Sequence, residues 1–293
     1  MIPSEGKKAK LKITNLGIIR MRGKPRVTIG LGEPRTLTVR NWDGKWYATI
    51  CVRYPKQALK RNCAHTQRAV GIDLGVRSLV ATSDGDMLPA PKELASAMGA
   101  LKQAQRELSR KKRGSQNRKK AQRKVARLHG KVARRRREFI HQLSCAMVFL
   151  YGLIGAEDLQ IKNMTRSARG TREKPGRNVR QKAGLNRSIL DAAFGELLRQ
   201  LAYKAEEAGG RLVQVAPNGT SQRCSECGTL VPKMLAVRVH ECPACGLVLD
   251  RDVNAARNIL SLALSKAGRE PSEVWRSGTT RSVEARNRLY AAA

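Results

Sequence analysis

Acidic residues are scarce in this chain. Asp and Glu number 23 against 58 Lys and Arg in 293 residues, a formal net charge of +35. Solubility needs far less, so a polyanionic partner is implied, either nucleic acid or an anionic membrane. No apolar run approaches the ~20 residues that span a bilayer. The N-terminal MIPSEGKKAKLK lacks the apolar core of a signal peptide. Cysteines number 7, and an odd total without a secretion signal argues against a disulfide framework. No internal repeat is visible. These absences favour a soluble, cytoplasmic nucleic-acid binder with no membrane partner.

Where acids are few, those set in apolar surroundings stand out. Asp73 lies inside the apolar run GIDLG, and Glu157 with Asp158 ends the run GLIGAED. Asp250 and Asp252 open the helical pattern LDRDVNAARNIL. Each alone reads equally well as a helix cap, a salt-bridge partner or an ordinary strand-end acid. A carboxylate within an apolar element is costly unless a cation neutralises it. Together, Asp73, Glu157 and Asp252 suggest a divalent-metal site, and hard oxygen ligands suit Mg²⁺ or Mn²⁺. Two such ions about 4 Å apart can activate water and stabilise the leaving oxygen of a phosphodiester.

The cysteines divide into two groups. Residues 224–246 read CSECGTLVPKMLAVRVHECPACG, two C-x-x-C pairs in which Gly228 and Gly246 follow the second cysteine. Each tight turn can deliver two thiolates, and four thiolates suit a closed, structural Zn²⁺ site at Cys224, Cys227, Cys242 and Cys245. His240 is expected to be a bystander. Cys51, Cys63 and Cys145 sit in apolar contexts and are expected in the core.

Along the chain, LGIIRMR, RVTIGL, RTLTVRNW and KWYATICVRY read as short strands, with a hairpin turn in NWDGKWY. They predict a small sheet or an incomplete barrel. AVGIDLGV and SLVATSDGDML follow as strands. Between Leu101 and Arg137, 17 residues are Lys or Arg and only Glu107 is acidic. Leu101, Ala104, Leu108, Val125, Leu128 and Val132 recur at helical spacing, so two basic helices broken at GSQN are predicted, with one shared apolar face. Thr165–Gly184 reads as a basic, mobile loop. Ser188–Ala208 reads as one amphipathic helix capped through Ser188 and Asp191. RLVQVAP is a strand, Asp252–Leu264 a last helix, and residues past Ala267 a frayed tail. Strands alternating with helices give a mixed α/β sheet whose ligands bind at strand ends.

Several of these stretches resemble a known family. GIDLGVRSLVATSDG, the basic run from RELSRKKRG to FIHQLS, AEDLQIKNM, KAGLNRSILDAAFGELLRQLAYKAEEAGG, APNGTSQRCSECG and CPACGLVLDRDVNAARNIL occur in one order over residues ~68–265. They are similar to the TnpB (OrfB) family of transposon-encoded, RNA-guided DNA endonucleases, relatives of type V CRISPR effectors. The resemblance implies a RuvC-type, RNase H-like α/β nuclease domain with an inserted basic helical hairpin and a zinc ribbon. Its catalytic acids would be Asp73, Glu157 and Asp252, with Asp158 and Asp250 as neighbours. Its partners would be DNA and a guide RNA from the element's own flank. The family's longer N-terminal region, with a first part of the barrel and a recognition module, has no counterpart here, which suggests an N-terminal truncation. The alternative is a truncated or repurposed member that binds RNA or DNA without cleavage.

The expected organisation is a partial wedge-like β-barrel at 1–67, the nuclease core at 68–222 with basic helices at 93–150, and the zinc ribbon at 223–246. The last core segment follows at 247–265 and a disordered tail at 266–293. Phosphate contacts are expected from Arg110, Lys111, Lys112, Arg118, Lys119, Lys120, Arg134, Arg135, Arg136, Arg137, Arg166 and Arg169.

Overall fold

A computed structural model describes residues 10–13, 17–20, 33–42, 45–53, 68–89, 92–234 and 236–268. The chain divides into two compact units, Met1–Lys60 and Arg61–Ala293. In the first, β1 (Lys10–Ile13) pairs antiparallel with β2 (Gly17–Arg20), and β3 (Glu33–Trp42) with β4 (Lys45–Arg53). Pairing of Trp42 with Lys45 matches the hairpin expected at Asp43-Gly44. The described residues form two separate ribbons and no closed barrel. The run RVTIGL and Cys63 lie outside them, as does the tail beyond Gly268.

The second unit is built on a five-stranded sheet. Its strands are β5 (Ala69–Asp73), β6 (Val80–Thr82), β7 (Met87–Leu88), β8 (Leu153–Glu157) and β9 (Arg211–Val215), in the order β7-β6-β5-β8-β9. Strands β5, β8 and β9 are parallel, and β6 and β7 are antiparallel. SLVATSDGDML is therefore two short strands around a tight turn, with Gly85 at φ 95°.

Period-two alternation sends successive side chains to opposite faces of the sheet. Val70, Ile72, Ile154 and Ala156 face a large core with Leu143, Met147, Leu197 and Leu201. Those last four come from α2 (Gln116–Leu150) and α5 (Phe194–Glu207). Ala69 and Leu153 face the other way, against Ile259, Leu260, Ala263 and Leu264 of α6 (Arg251–Lys266). Gly71 and Gly155 lie on this second face. A Cβ at Gly71 would stand 2.0 Å from the Ala256 carbonyl oxygen, and one at Gly155 2.7 Å from the Ala263 methyl. Glycine at both positions lets the helix backbone rest directly on the sheet.

The basic hairpin is folded. α1 (Lys92–Ser109) packs on α2, which Ser115 caps by accepting from the Arg118 amide at 3.1 Å. Ala97 and Val132 bury a small apolar seam with Leu101 beside them. At 1.5 Å per residue, the 35 residues of α2 reach about 52 Å. Its C-terminal third is buried against the sheet, and its N-terminal part carries the Lys/Arg run.

Two expectations between residues 165 and 208 fail. After α3 (Ile161–Met164), helix α4 (Val179–Ala192) begins inside the stretch read as a mobile loop. The rest of that stretch is pinned: Gly170 bridges Pro175, Asn186 Nδ2 donates to the Thr165 carbonyl at 2.8 Å, and Lys182 Nζ to that of Met164 at 2.6 Å. The single helix expected at 188–208 is broken at Ala193, which adopts a left-handed conformation (φ 54°, ψ 40°) before α5. Ser188 caps nothing; it sits mid-helix and bonds back to the Gly184 carbonyl at 3.2 Å. Asp191 instead pairs with Arg136 at 2.8 Å. The left-handed residue is Ala193 and not the nearby Gly195, and Ile189 and Phe194 on either side of it are buried in the core. Cys51 and Cys145 are exposed, contrary to the core placement expected of them. Cys145 shares its helix with core residues but points away from them, a difference of one residue in helical phase. No helix among the described residues is long and apolar enough to cross a membrane.

Alanine at position 71 should cost about 3 kcal/mol, because overpacking there meets backbone and not a movable side chain. Alanine at Gly99 of α1, where a Cβ meets nothing, should stabilise by up to ~1 kcal/mol. Paired urea denaturation of the two variants checks this; equal midpoints would refute the close-contact argument.

Candidate functional site

Parallel pairing of β5 with β8 places Ile72 opposite Ala156, so Asp73 and Glu157 end adjacent strands on the same edge of the sheet. Neighbouring strands lie about 4.8 Å apart, close enough for two carboxylates to feel each other strongly. The third acid, Asp252, stands in the first turn of α6, which the close packing on Gly71 lowers onto the same edge. Asp250 is the cap of that helix, and its Oδ1 accepts from the Asp252 amide at 2.8 Å. Asp252 is thereby released from the capping role, and its charge is felt at Asp73. Asp158 is exposed, and its amide is bound by the Val215 carbonyl at 2.8 Å.

The electrostatics bear the mark of this convergence. Asp73 has its proton affinity pushed up to about 7, first by burial, then by the charges of Glu157 and Asp252, against a lowering pull from Arg251. Glu157 is raised by burial and pulled back by a hydrogen bond from Thr220, whose hydroxyl donates to Oε1 at 2.6 Å. Arg251 lies 3.4 Å from Asp252 Oδ1 and offsets part of the repulsion. The three carboxylates are looser than a closed chelate. Among the described residues, the one group of three or more candidate ligands with all donor atoms within 4.8 Å of each other is elsewhere.

That group is Cys224, Cys227, Cys242 and Cys245. Gly228 (φ 76°) and Gly246 (φ 74°) return their amides to the Cys224 and Cys242 carbonyls at 3.0 and 2.9 Å, closing two similar turns. Side chains with a Cβ resist that backbone conformation. The second turn belongs to a hairpin of β10 (Val239–Glu241) and β11 (Val248–Asp250), which leads directly into α6. Sulfur separations of 3.7 Å (Cys224 to Cys245) and 3.5 Å (Cys227 to Cys242) exceed a disulfide bond. They fit tetrahedral thiolates around one ion with metal–sulfur bonds of about 2.3 Å. Contact with Thr229 draws the Cys227 thiol down from its ordinary value to about 6. His240 is fully buried beside Lys233 and is no member of the cysteine group.

Thr220, Arg251, Asn254 and Asn258 were not singled out from the sequence, although the structure draws them to these two centres. The signal available was NAARN in the first half of the last helix: two amides four residues apart share a face.

Of the twelve cations expected to meet phosphate, Arg110, Lys111, Lys112, Lys119, Lys120, Arg134, Arg137, Arg166 and Arg169 are exposed, and Arg135 is half-buried. Arg118 is engaged within the chain, its guanidinium closing the end of α1 on the Leu108 and Lys111 carbonyls, both at 3.1 Å. Arg136 is held by Asp191.

The sheet, the carboxylates at its edge and the inserted cysteine cluster define an α/β protein with a four-cysteine insert whose sulfurs are close enough together to hold a metal ion. Comparison with known proteins is specific. The family model OrfB_IS605, "Probable transposase", matches residues 49–168, and that of the Cas12f1-like TNB domain matches residues 194–259. InsQ of Escherichia coli (strain K12), named for RNA-guided DNA endonuclease activity, is 38% identical over 86% of this chain and 62% of its own. The CRISPR-associated endodeoxyribonuclease Cas12f1 of Sulfoacidibacillus thermotolerans is 27% identical over 85% of this chain and 59% of its own. A cryo-EM structure of a CRISPR-Cas12f ternary complex matches with TM-score 0.47 and 22% identity, over 73% of this chain and 42% of that one. The chain thus resembles the TnpB (OrfB) proteins in both matched segments and in its similarity to InsQ. It spans about 62% of the length of InsQ.

The Asp73 shift has a measurable sign. The folded chain without a cation binds a proton at Asp73 that the unfolded chain releases near pH 4, so stability falls as pH rises from about 4 to about 7. Asp73→Asn removes the charge. In buffer without Mg²⁺ or Mn²⁺ it should leave stability unchanged at pH 4 and raise it at pH 8 by roughly 1–3 kcal/mol. Thermal melts at the two pH values check this; a loss of stability at pH 8 would contradict the buried, charge-crowded setting of Asp73.

Proposed function

We propose that this chain is a metal-dependent DNA endonuclease with a RuvC-type catalytic domain, acting with a guide RNA from its own element's flank. The observation that carries the reading is the convergence of Asp73, Glu157 and Asp252 from two strand ends and a helix start, in one shared electrostatic field. Acids brought together against their own repulsion need a cation, and three hard oxygen donors fit Mg²⁺ or Mn²⁺. Bound there, such ions would supply a water of lowered pKa and neutralise charge on the leaving oxygen of a phosphodiester. Asp73, on the central strand, would be the most deeply set ligand. Glu157 is oriented by the Thr220 hydroxyl, and Asp252 stands where the helix dipole favours negative charge. The InsQ and Cas12f1 names support the same reaction class.

The four cysteines would hold a structural Zn²⁺. Four thiolates leave no open position for chemistry, and the preference of zinc for tetrahedral sulfur fits the spacing of the two turns. Purified protein should contain about one zinc per chain. Cys227→Ser with Cys245→Ser should abolish that content and lower the melting temperature; full zinc content in the double variant would refute the assignment.

The exposed cations of α1, α2 and the 165–178 segment would grip phosphate backbones. This grip lies on other elements than the acids, so binding and cleavage separate by mutation. Asp73→Ala, Glu157→Ala and Asp252→Ala should each lower Mg²⁺-dependent DNA cleavage by ~10³-fold or more while leaving nucleic-acid affinity within a few-fold, as removal of a metal ligand predicts. Asp158→Ala and Asp250→Ala should be milder. The assay uses protein co-expressed with its flanking RNA, and products are read for 5′-phosphate ends. Equal cleavage with Asp73→Ala would overturn the metal site. Binding without cleavage in either Mg²⁺ or Mn²⁺ would identify a nucleic-acid-binding protein that does not cut.

A further inference from the structure

Among the described residues, the Glu157 carboxylate accepts from Thr220, whose own position is fixed from two directions. β9 runs alongside β8 and ends with Val215 opposite Glu157. The chain then turns at Gly219 (φ 78°), where the Gln222 and Arg223 amides close back on the Gly219 carbonyl at 3.1 and 2.9 Å. This turn presents Thr220, which is buried, with its hydroxyl on Glu157 Oε1 at 2.6 Å.

The turn is clamped onto α6 by two asparagines. Asn258 Nδ2 donates to the Thr220 carbonyl at 2.8 Å and to the Arg223 carbonyl at 2.7 Å. Asn254, fully buried, donates from Nδ2 to the Arg223 carbonyl at 2.8 Å and accepts from the Ser225 amide at 2.9 Å. Arg223 and Ser225 flank Cys224. The backbone around the first cysteine is therefore bound to the helix that carries Asp252, and the same clamp holds the hydroxyl that orients Glu157. At the far side of the cysteine module, the Arg251 amide donates to the Arg238 carbonyl at 2.7 Å, one residue before Asp252.

We propose that Thr220 is a positioning residue for Glu157, and that Asn254 and Asn258 join it to the cysteine module so that one folded unit fixes two of the three acids. The inference rests on the acids forming a divalent-metal site. A carboxylate needs to hold its angle to bind a hard cation well, and the groups that orient a ligand tune its affinity by roughly 10–100-fold. Removing the hydroxyl leaves Glu157 free to rotate. Removing Asn258 leaves the hydroxyl in place chemically but loosens the turn that aims it.

The test is Mn²⁺ binding by the full chain without nucleic acid, followed by electron paramagnetic resonance, with zinc content measured on the same samples. Thr220→Val should weaken Mn²⁺ binding by about 10-fold or more at unchanged zinc content. Thr220→Ser, which restores the hydroxyl, should return the affinity to within a few-fold of the parent, an outcome that a loss of bulk or fold would not produce. Asn258→Ala should weaken Mn²⁺ in the same direction with Glu157 and Thr220 intact, and it remains informative should the valine variant fold poorly. Unchanged Mn²⁺ affinity in Thr220→Val, alongside loss of binding in Asp73→Ala, overturns the positioning role and leaves the metal site standing. Mn²⁺ affinity unchanged in Asp73→Ala as well overturns the metal site, and the positioning role with it.

Discussion

The close seating of α6 on strands β5 and β8 is the constraint from which the rest follows. Two glycines facing one helix remove the layer of side chains that normally separates helix from sheet, so backbone meets backbone near Gly71. The approach fixes the helix along its axis and in rotation together, because Ile259, Leu260, Ala263 and Leu264 then fill the remaining space against Ala69, Leu153 and Val215. A core packed at crystal density leaves little room for drift. Asp252 inherits its place at the sheet edge from those contacts one and more turns away.

The acids resist that placement. Burial first, and then the charges of Glu157 and Asp252, raise the proton affinity of Asp73, so the apolar packing of α6 works in part against desolvation and repulsion. Arg251 relieves some of it from within. The overall charge of +35 relieves more, since a strongly positive chain makes a local negative cluster less unfavourable. The same excess of cations serves the surface of the basic hairpin. Scarcity of acids and their concentration at one edge are thus two sides of one charge distribution.

The cysteine insert is joined to this edge rather than hung beside it. β11 runs into Asp250 and then α6 without a spacer, and the turn around Cys224 is bonded to Asn254 and Asn258. An insert of this size buries little apolar surface of its own, and the ion proposed for its four cysteines would fix its shape. Anchored at both ends on α6, it transmits that shape to the carboxylates.

Much of this was written in one dimension. The C-x-x-C pairs with their glycines, the apolar runs ending in Asp73 and Glu157, and the break at GSQN between two basic helices depend on local spacing and turn chemistry, which a sequence displays directly. Local chemistry could not say which of Asp250 and Asp252 would cap α6, because either can accept from a helix's first amides; the register of β11 against β10 decided it. Nor did it reveal the break at Ala193, a residue with no turn preference that is left-handed between the buried Ile189 and Phe194. Cys145 was assigned to the core by its neighbours, but helical phase turned it outward. Thr220, Asn254 and Asn258 gained their roles only through contacts spanning 29 to 63 residues of chain. Sequence alone determined which side chains could hold a metal or a phosphate; tertiary packing decided which of them meet, because that depends on strand register and helix seating that no local spacing encodes.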